Sequence, residues 1–114
     1  MTTSYELSLR LKELGVDQEG GEYYYYDVKG QEILLHSLSF MAASFNAICR
    51  AFTLGELVRE LPINAFVCPV QRMSSRKYKA LFKDGGLVSA KVHDADTPEE
   101  SAGELLAELK QKEG

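Results

Sequence analysis

The sequence predicts an α+β fold, with an antiparallel sheet of about five strands and three to four helices packed on it, in the order α-ββ-(α)-α-βββ-α. Two observations favour this class. Three Thr-x-x-Glu patterns mark helix starts, and the stretches between them contain short aromatic and β-branched runs separated by turn-forming residues. A chain of 114 residues is about the length of one domain, so we expect a single domain over residues 1–114.

Each predicted helix start is a capping box, in which a Thr hydroxyl and a Glu carboxylate each accept a hydrogen bond from a backbone N–H. The pairs are Thr3 with Glu6, Thr53 with Glu56, and Thr97 with Glu100. After the second and third pairs, apolar residues recur at helical spacing: Leu54, Leu57, Val58 and Leu61, then Ala102, Leu105, Leu106 and Leu109. Both segments therefore predict helices that pack through one face.

The first segment fits a strand as well as a helix. Apolar residues from Tyr5 to Leu11 alternate with polar ones, as they do in a half-buried strand. We favour a helix because Leu7, Leu11 and Leu14 also form a helical stripe, and because Gly15 stands where a C-terminal cap belongs.

Five strands are predicted, as one hairpin and one meander. The hairpin joins the tyrosines 23–26 to residues 31–36 through the turn-rich tetrad 27–30. The meander strands run from Ala65 to Arg72, from Lys77 to Lys83 and from Leu87 to Val92. An Asp-Gly pair between the last two is a strong hairpin signal.

The central segment from Leu38 to Phe52 is unusually apolar, and Arg50 is its one charged residue. Met41, Phe45, Ile48 and Phe52 fall at helical spacing and predict one apolar face. That face serves either the core, where apolar residues usually lie, or an interface with another polypeptide. Two of the four tyrosines are expected to face outward and to add to such an interface.

Charge and composition exclude several functions. Thirteen Lys and Arg against seventeen Asp and Glu give a net charge of -4, which disfavours binding of the whole molecule to nucleic acid or anionic membrane. The longest uncharged stretch contains polar residues and falls short of the about 20 apolar residues of a membrane span. Because the chain start lacks the pattern of a secretion signal, we expect a cytoplasmic protein.

No catalytic or metal site is predicted. The possible soft ligands His36, Cys49, Cys68 and His93 lack the spacing of a zinc site, and the apolar flanks of both cysteines predict buried, inert thiols. The acidic residues near His93 fit a polar turn that leads into the third cap. Since no glycine-rich phosphate loop opens a helix, we expect no enzyme and no cofactor.

A basic hairpin supports an alternative function. Arg72, Arg76, Lys77, Lys79 and Lys83 cluster there with two aromatic residues. Such a patch could neutralise phosphates and stack on unpaired bases. The alternative interpretation is a solvated sheet face whose charges pair with the acidic last helix.

The order of these motifs resembles a group of small uncharacterised proteins from bacterial genomes and prophages. The resemblance rests on the segments 11–16, 53–62 and 97–102, and on the tyrosine-rich strand between the first two. It implies an α+β fold and a mobile-element origin, and it transfers no catalytic residues. Phe52 stands where the group is expected to have a proline.

The sequence thus favours a non-enzymatic accessory or interaction protein that forms a homodimer, or binds another protein, through Met41, Phe45, Ile48 and Phe52. A nucleic-acid-binding module is the alternative, and no membrane partner is expected.

Overall fold

The computed structural model describes residues 2–63, 65–71, 76–84 and 87–113, and within these it describes only the backbone of residues 66, 68–71, 76, 83–84, 87–94 and 113. The elements in chain order are α1 (Tyr5–Glu13), β1 (Tyr23–Val28), β2 (Gln31–His36), a 3₁₀ helix (Phe40–Ser44), β3 (Asn46–Ala51), α2 (Leu54–Glu60), β4 (Ala65–Gln71), β5 (Arg76–Asp84), β6 (Leu87–Ala95) and α3 (Pro98–Glu113).

The α+β class is confirmed, but the single sheet of about five strands is wrong. Across the described ranges the strands form two three-stranded antiparallel sheets, in the orders β2-β1-β3 and β4-β5-β6. The unpredicted strand β3 pairs with β1 and completes the first sheet, so the hairpin and the meander do not share a ladder. Three α-helices and the short 3₁₀ helix accompany the sheets.

The helices connect the two sheets. Helix α1 contacts β3 and α3, while α3 contacts α2 and all three strands of the second sheet. The core lies among these elements, and its described members are Leu7, Leu11, Val16, Phe52, Leu57, Leu61, Ala80, Ala102, Leu105, Leu106 and Ala107. Helix α1 therefore contacts the first sheet directly and the second sheet through α3.

Helix α1 starts one residue later than predicted. Ser4, and not Thr3, is the N-cap, and its hydroxyl accepts from the Leu7 N–H. Thr3 is fully buried, where its hydroxyl accepts from Phe52 N at 3.1 Å and bonds the Ser8 hydroxyl at 2.7 Å. Thr3 has a Glu three residues on, but its hydroxyl accepts from Phe52 N, so the adjacent Ser4 caps the helix.

The predicted end of α1 at Gly15 is confirmed. Gly15 has φ of 88°, and its N–H donates to the Lys12 carbonyl while the Val16 N–H donates to the Leu11 carbonyl. These two bonds form a Schellman motif, with the buried Val16 packed beside the last turn.

The other two caps show what local sequence determines. Thr53 and Glu56 form the complete capping box predicted for α2. At α3 the Thr97 hydroxyl accepts from Glu100 N, as predicted. The Glu100 carboxylate, however, accepts from the backbone N–H and the hydroxyl of Ser4. Glu100 therefore completes the cap of α1 and joins the N-termini of two helices.

The predicted hairpin is confirmed. Lys29 and Gly30 both have positive φ, 53° and 85°, and form a two-residue turn between the paired Val28 and Gln31. Of the four tyrosines, Tyr26 is buried and the other three are half-buried. Tyr5 packs against Tyr25 on one face of the sheet, and Tyr24 bonds the Gln18 carbonyl.

The predicted helix over the central segment is wrong. The segment contains the 3₁₀ helix and then β3, in which Cys49, Arg50 and Ala51 are all buried. A strand covered on both faces shows no alternation of apolar and polar residues, so its periodicity cannot separate it from a buried helix.

Candidate functional site: an exposed apolar edge

The structure does not bring the predicted interface residues onto one face. Met41 is 49% exposed, Phe45 and Ile48 are half-buried, and Phe52 is completely enclosed by the core. Phe52 therefore cannot reach a partner without unfolding of the protomer. Of the four residues, Met41 keeps the largest exposed fraction.

A different set of apolar side chains is exposed in the neighbouring segment. Leu38 and Phe40 are 88% and 95% exposed, and with Met41 they follow directly on β2. Within β2, Ile33 and Leu34 are 38% and 39% exposed. We call these five residues the apolar edge surface. Ile33 and Leu34 are consecutive residues of a strand, so their side chains lie on opposite faces of the sheet. Leu38, Phe40 and Met41 are exposed within four consecutive residues, and exposed apolar patches on soluble proteins mark interaction sites.

Strand β2 is an edge strand whose outer side is open. Residues 31–34 are all exposed, and no strand in the described part of the chain pairs with the side of β2 that faces away from β1. Val28 and Gln31 flank the two-residue turn and form a hydrogen-bonded pair, so Gln31, Ile33 and Leu35 bond β1. The backbone groups of Glu32, Leu34 and His36 therefore face the open side.

The opposite edge of this sheet is blocked by side chains. On β3, the Arg50 N–H donates to Gln18 Oε1 at 2.8 Å, and the Ile48 carbonyl accepts from Lys12 Nζ at 2.6 Å. Proteins commonly cover an edge in this way because unpaired strands bind other strands. The contrast leaves β2 as the accessible edge of the sheet.

Two polar side chains flank Leu34 on the open edge. Glu32 lies opposite Asp27 in the β1–β2 register, a like-charge arrangement, and forms no ion pair with any residue that the structure describes. His36 lies opposite Tyr23, with ring centroids 5.1 Å apart. Its Nδ1 accepts from Leu38 N at 3.0 Å, so Nε2–H is the donor of the ring.

A second apolar surface lies beside α2. Leu54, Val58, Leu61, Pro62, Ile63, Ala65 and Val67 line an open groove of about 490 Å³. Ile63 and Val58 are 96% and 56% exposed there. Ala65 and Val67 belong to β4, which is an edge strand of the second sheet, so this groove also adjoins a strand edge.

The main buried polar cluster supports the fold. The Arg50 guanidinium pairs with Glu56 at 2.9 Å, donates to the Asp17 and Glu19 carbonyls, and lies 4.5 Å from the Phe52 ring centroid. Burial alone would raise the pKa of the Glu56 carboxyl. Hydrogen bonds from Thr53, Arg50 and Glu22 lower this pKa by more than burial raises it, so it lies below its ordinary value. Both charges are enclosed, and this arrangement fixes the loop before β1.

The burial predicted for the cysteines is confirmed at Cys49. Its side chain is 3% exposed, and burial raises its pKa to about 11 despite the nearby Lys12. Such a thiol is a poor nucleophile at neutral pH. Cys68 and His93 lie outside the described side chains. The described residues contain no cluster of three or more His, Cys, Asp or Glu that could hold a metal ion.

The basic hairpin is described only in part. Lys77 pairs with Asp96, and Lys79 is half-buried on the same strand. Arg72 lies outside the described residues, as do the side chains of Arg76 and Lys83. The pairing of Lys77 fits the interpretation as a solvated face, and nucleic-acid binding stays a prediction.

No helix in the described ranges is long and apolar enough to cross a membrane. Comparison of the chain with protein-family models, curated proteins and solved structures gives no match.

Proposed function

We propose that this protein is a non-enzymatic interaction protein that self-associates through the apolar edge surface. Self-association is the function expected from the central segment, but other residues would perform it. Ile33, Leu34, Leu38 and Phe40 join Met41, while Phe52 belongs to the core. The origin in a mobile element, the cytoplasmic location and the accessory role stay predictions from the sequence.

The observation that carries the proposal is the exposure of Leu38 and Phe40, at 88% and 95%, beside an open strand edge. Burying one such side chain yields about 1.5–3 kcal/mol. A symmetric dimer buries each of them twice, which amounts to about 6–12 kcal/mol. Association of two proteins costs about 4–15 kcal/mol before any contact is counted, so we expect a reversible dimer of modest affinity.

Sedimentation velocity over a range from low to high micromolar concentration tests the proposal. The wild-type protein is expected to shift reversibly from one chain to two as concentration rises. Phe40→Glu places a charge in the contact and should abolish this shift. Val58→Glu is the matched control, because it introduces the same charge at an exposed apolar residue of the α2 groove.

Two results contradict the proposal. A wild-type protein that remains a single chain at high micromolar concentration has no self-association to explain. Dimerisation that survives Phe40→Glu but is lost in Val58→Glu moves the interface to the α2 groove. Circular dichroism of both variants checks that each remains folded.

A further inference from the structure

The geometry points to a specific partner arrangement: β2 of one copy pairs with β2 of a second copy in antiparallel register, with Leu34 on the two-fold axis and Glu32 facing the partner's His36. This inference rests on the proposed self-association and specifies its geometry. It joins the two β2-β1-β3 sheets into one continuous sheet of six strands.

The hydrogen-bonding pattern between β1 and β2 restricts how a second copy can pair with β2. Only Glu32, Leu34 and His36 direct their backbone groups to the open side of β2, so these residues must face one another across the axis. A register shifted by one residue would place the outward groups of one copy against the inward groups of the other. Only shifts of two residues keep the hydrogen bonds possible.

Among the remaining registers, the one centred on Leu34 uses all three outward residues. The Leu34 N–H of each copy donates to the partner's Leu34 carbonyl, and the His36 N–H donates to the partner's Glu32 carbonyl. Centring the axis on Ile33 or Leu35 instead leaves one outward residue of the strand beyond the paired region. The His36 carbonyl already accepts from Ser39 N, so in this register the partner's Glu32 N–H meets an acceptor that is already in use, and the Leu34 and His36 N–H groups make the cross-axis bonds.

Side-chain complementarity supports the same register. Leu34 meets its own copy, and Ile33 lies opposite the partner's Leu35, so apolar residues face each other on both sides of the sheet. Glu32 gains the Nε2–H of the partner's His36 as a donor. Within its own protomer Glu32 lies opposite Asp27, so the partner supplies the favourable neighbour that β1 does not. An axis on Ile33 would instead place Glu32 opposite the partner's Leu34.

Within its own protomer His36 contacts Tyr23 of β1 and the Leu38 N–H of the following turn. The carboxylates of Asp96 and Glu100 line a cavity with Leu34, whose side chain lies on the same face of the sheet as those of Glu32 and His36. Glu32 and His36 of one copy lie four residues apart along the strand, so the cross-axis contact brings them closer than the chain itself does.

Complementary charge reversal tests the register by sedimentation equilibrium. In the Glu32→Lys homodimer the introduced lysine faces the partner's His36 at both ends of the contact. In the His36→Glu homodimer the introduced glutamate faces the partner's Glu32 at both ends. Each variant alone should therefore dimerise roughly five- to thirtyfold more weakly than wild type. In an equimolar mixture, one contact joins the two substituted side chains with opposite charge and the other joins the native Glu and His. The mixture should recover an affinity within about threefold of wild type.

Glu60→Lys is the matched control, since it reverses an exposed carboxylate on α2 and should leave dimerisation unchanged. The β2 register is overturned, and the self-association stands, in either of two cases. In the first, neither single variant weakens the dimer. In the second, the single variants weaken it but their mixture does not recover the wild-type affinity. A wild-type protein without any dimer overturns both. Recovery of the dimer affinity in the mixture also shows that both variants fold. If both variants have native circular dichroism spectra and their mixture does not recover the wild-type affinity, the register is wrong.

Discussion

Replacing Glu56 by Ala tests the buried polar cluster that joins three segments of the chain. The Glu56 carboxylate is 7% exposed and accepts from the Arg50 guanidinium at 2.9 Å, from Thr53 N at 2.9 Å and from Glu22 N at 3.2 Å. Its removal leaves Arg50, which is 8% exposed, without a counter-charge, and also removes half of the α2 capping box. Breaking a buried pair in this way costs about 3–5 kcal/mol.

This loss is large relative to the stability of a domain, which is about 5–15 kcal/mol. Urea unfolding followed by circular dichroism should show a lower midpoint with an unchanged slope. Arg50→Met is the partner variant in a double-mutant cycle, and the double variant should lose less than the sum of the two single losses. A loss below about 1 kcal/mol in Glu56→Ala would refute the reasoning, because the buried Arg50 would then tolerate the absence of its counter-charge.

The same cluster predicts how stability changes with pH. The pKa of Glu56 is lower in the folded protein than in the unfolded chain, so this group stabilises the fold above the ordinary carboxyl pKa of about 4.3. That contribution is lost as pH falls through the folded pKa. Glu56→Gln should therefore narrow the difference in unfolding free energy between pH 7 and pH 3 compared with wild type. An unchanged difference would mean that Glu56 does not titrate with folding.

Two further predictions concern close packing and thiol reactivity. Gly103→Ala should destabilise the protein by about 1–3 kcal/mol, since the added Cβ would lie 2.7 Å from Leu7 Cδ2 and 2.9 Å from Thr3 Cγ2. Gly55→Ala, whose Cβ meets nothing within 4 Å, should instead stabilise α2 by about 0.5–1 kcal/mol, and thermal unfolding of both variants checks the contrast. In a Cys68→Ser background, iodoacetamide at pH 8 should modify Cys49 only after urea unfolds the protein, because the buried thiol has its pKa raised to about 11. Modification of the native protein at the rate of a free thiol would contradict that burial.

Features set by neighbouring residues could be predicted from the sequence. The Thr53–Glu56 box, the Gly15 helix end and the 23–36 hairpin each depend on contacts within a few residues, and each was predicted with its main residues. The start of α1 could not be, because the capping pattern is met by Thr3 with Glu6, whereas the residue that caps the helix is Ser4, which is followed at that distance by Leu7. Phe52 decides between them by donating to Thr3 from 49 residues away.

The candidate site was predicted less well for the same physical reason. The spacing of Met41, Phe45, Ile48 and Phe52 fits a helix, but Met41 lies in the 3₁₀ helix and Ile48 lies in β3, which pairs with β1. Strand pairing is a non-local interaction that periodicity does not encode. Leu38 and Phe40 were visible as apolar residues, yet only the fold shows that they remain exposed next to an open edge.

Amide hydrogen exchange of β2 at low and high protein concentration tests the central claim most directly. The amides of Ile33 and Leu35 bond β1 and should be protected at both concentrations. Those of Leu34 and His36 face the open edge and have free acceptors in the proposed register, so we expect them to exchange rapidly in the dilute protein and slowly in the concentrated one. Equal rates for these two amides at both concentrations, in a protein that dimerises between them, would contradict the binding of a second copy at this edge.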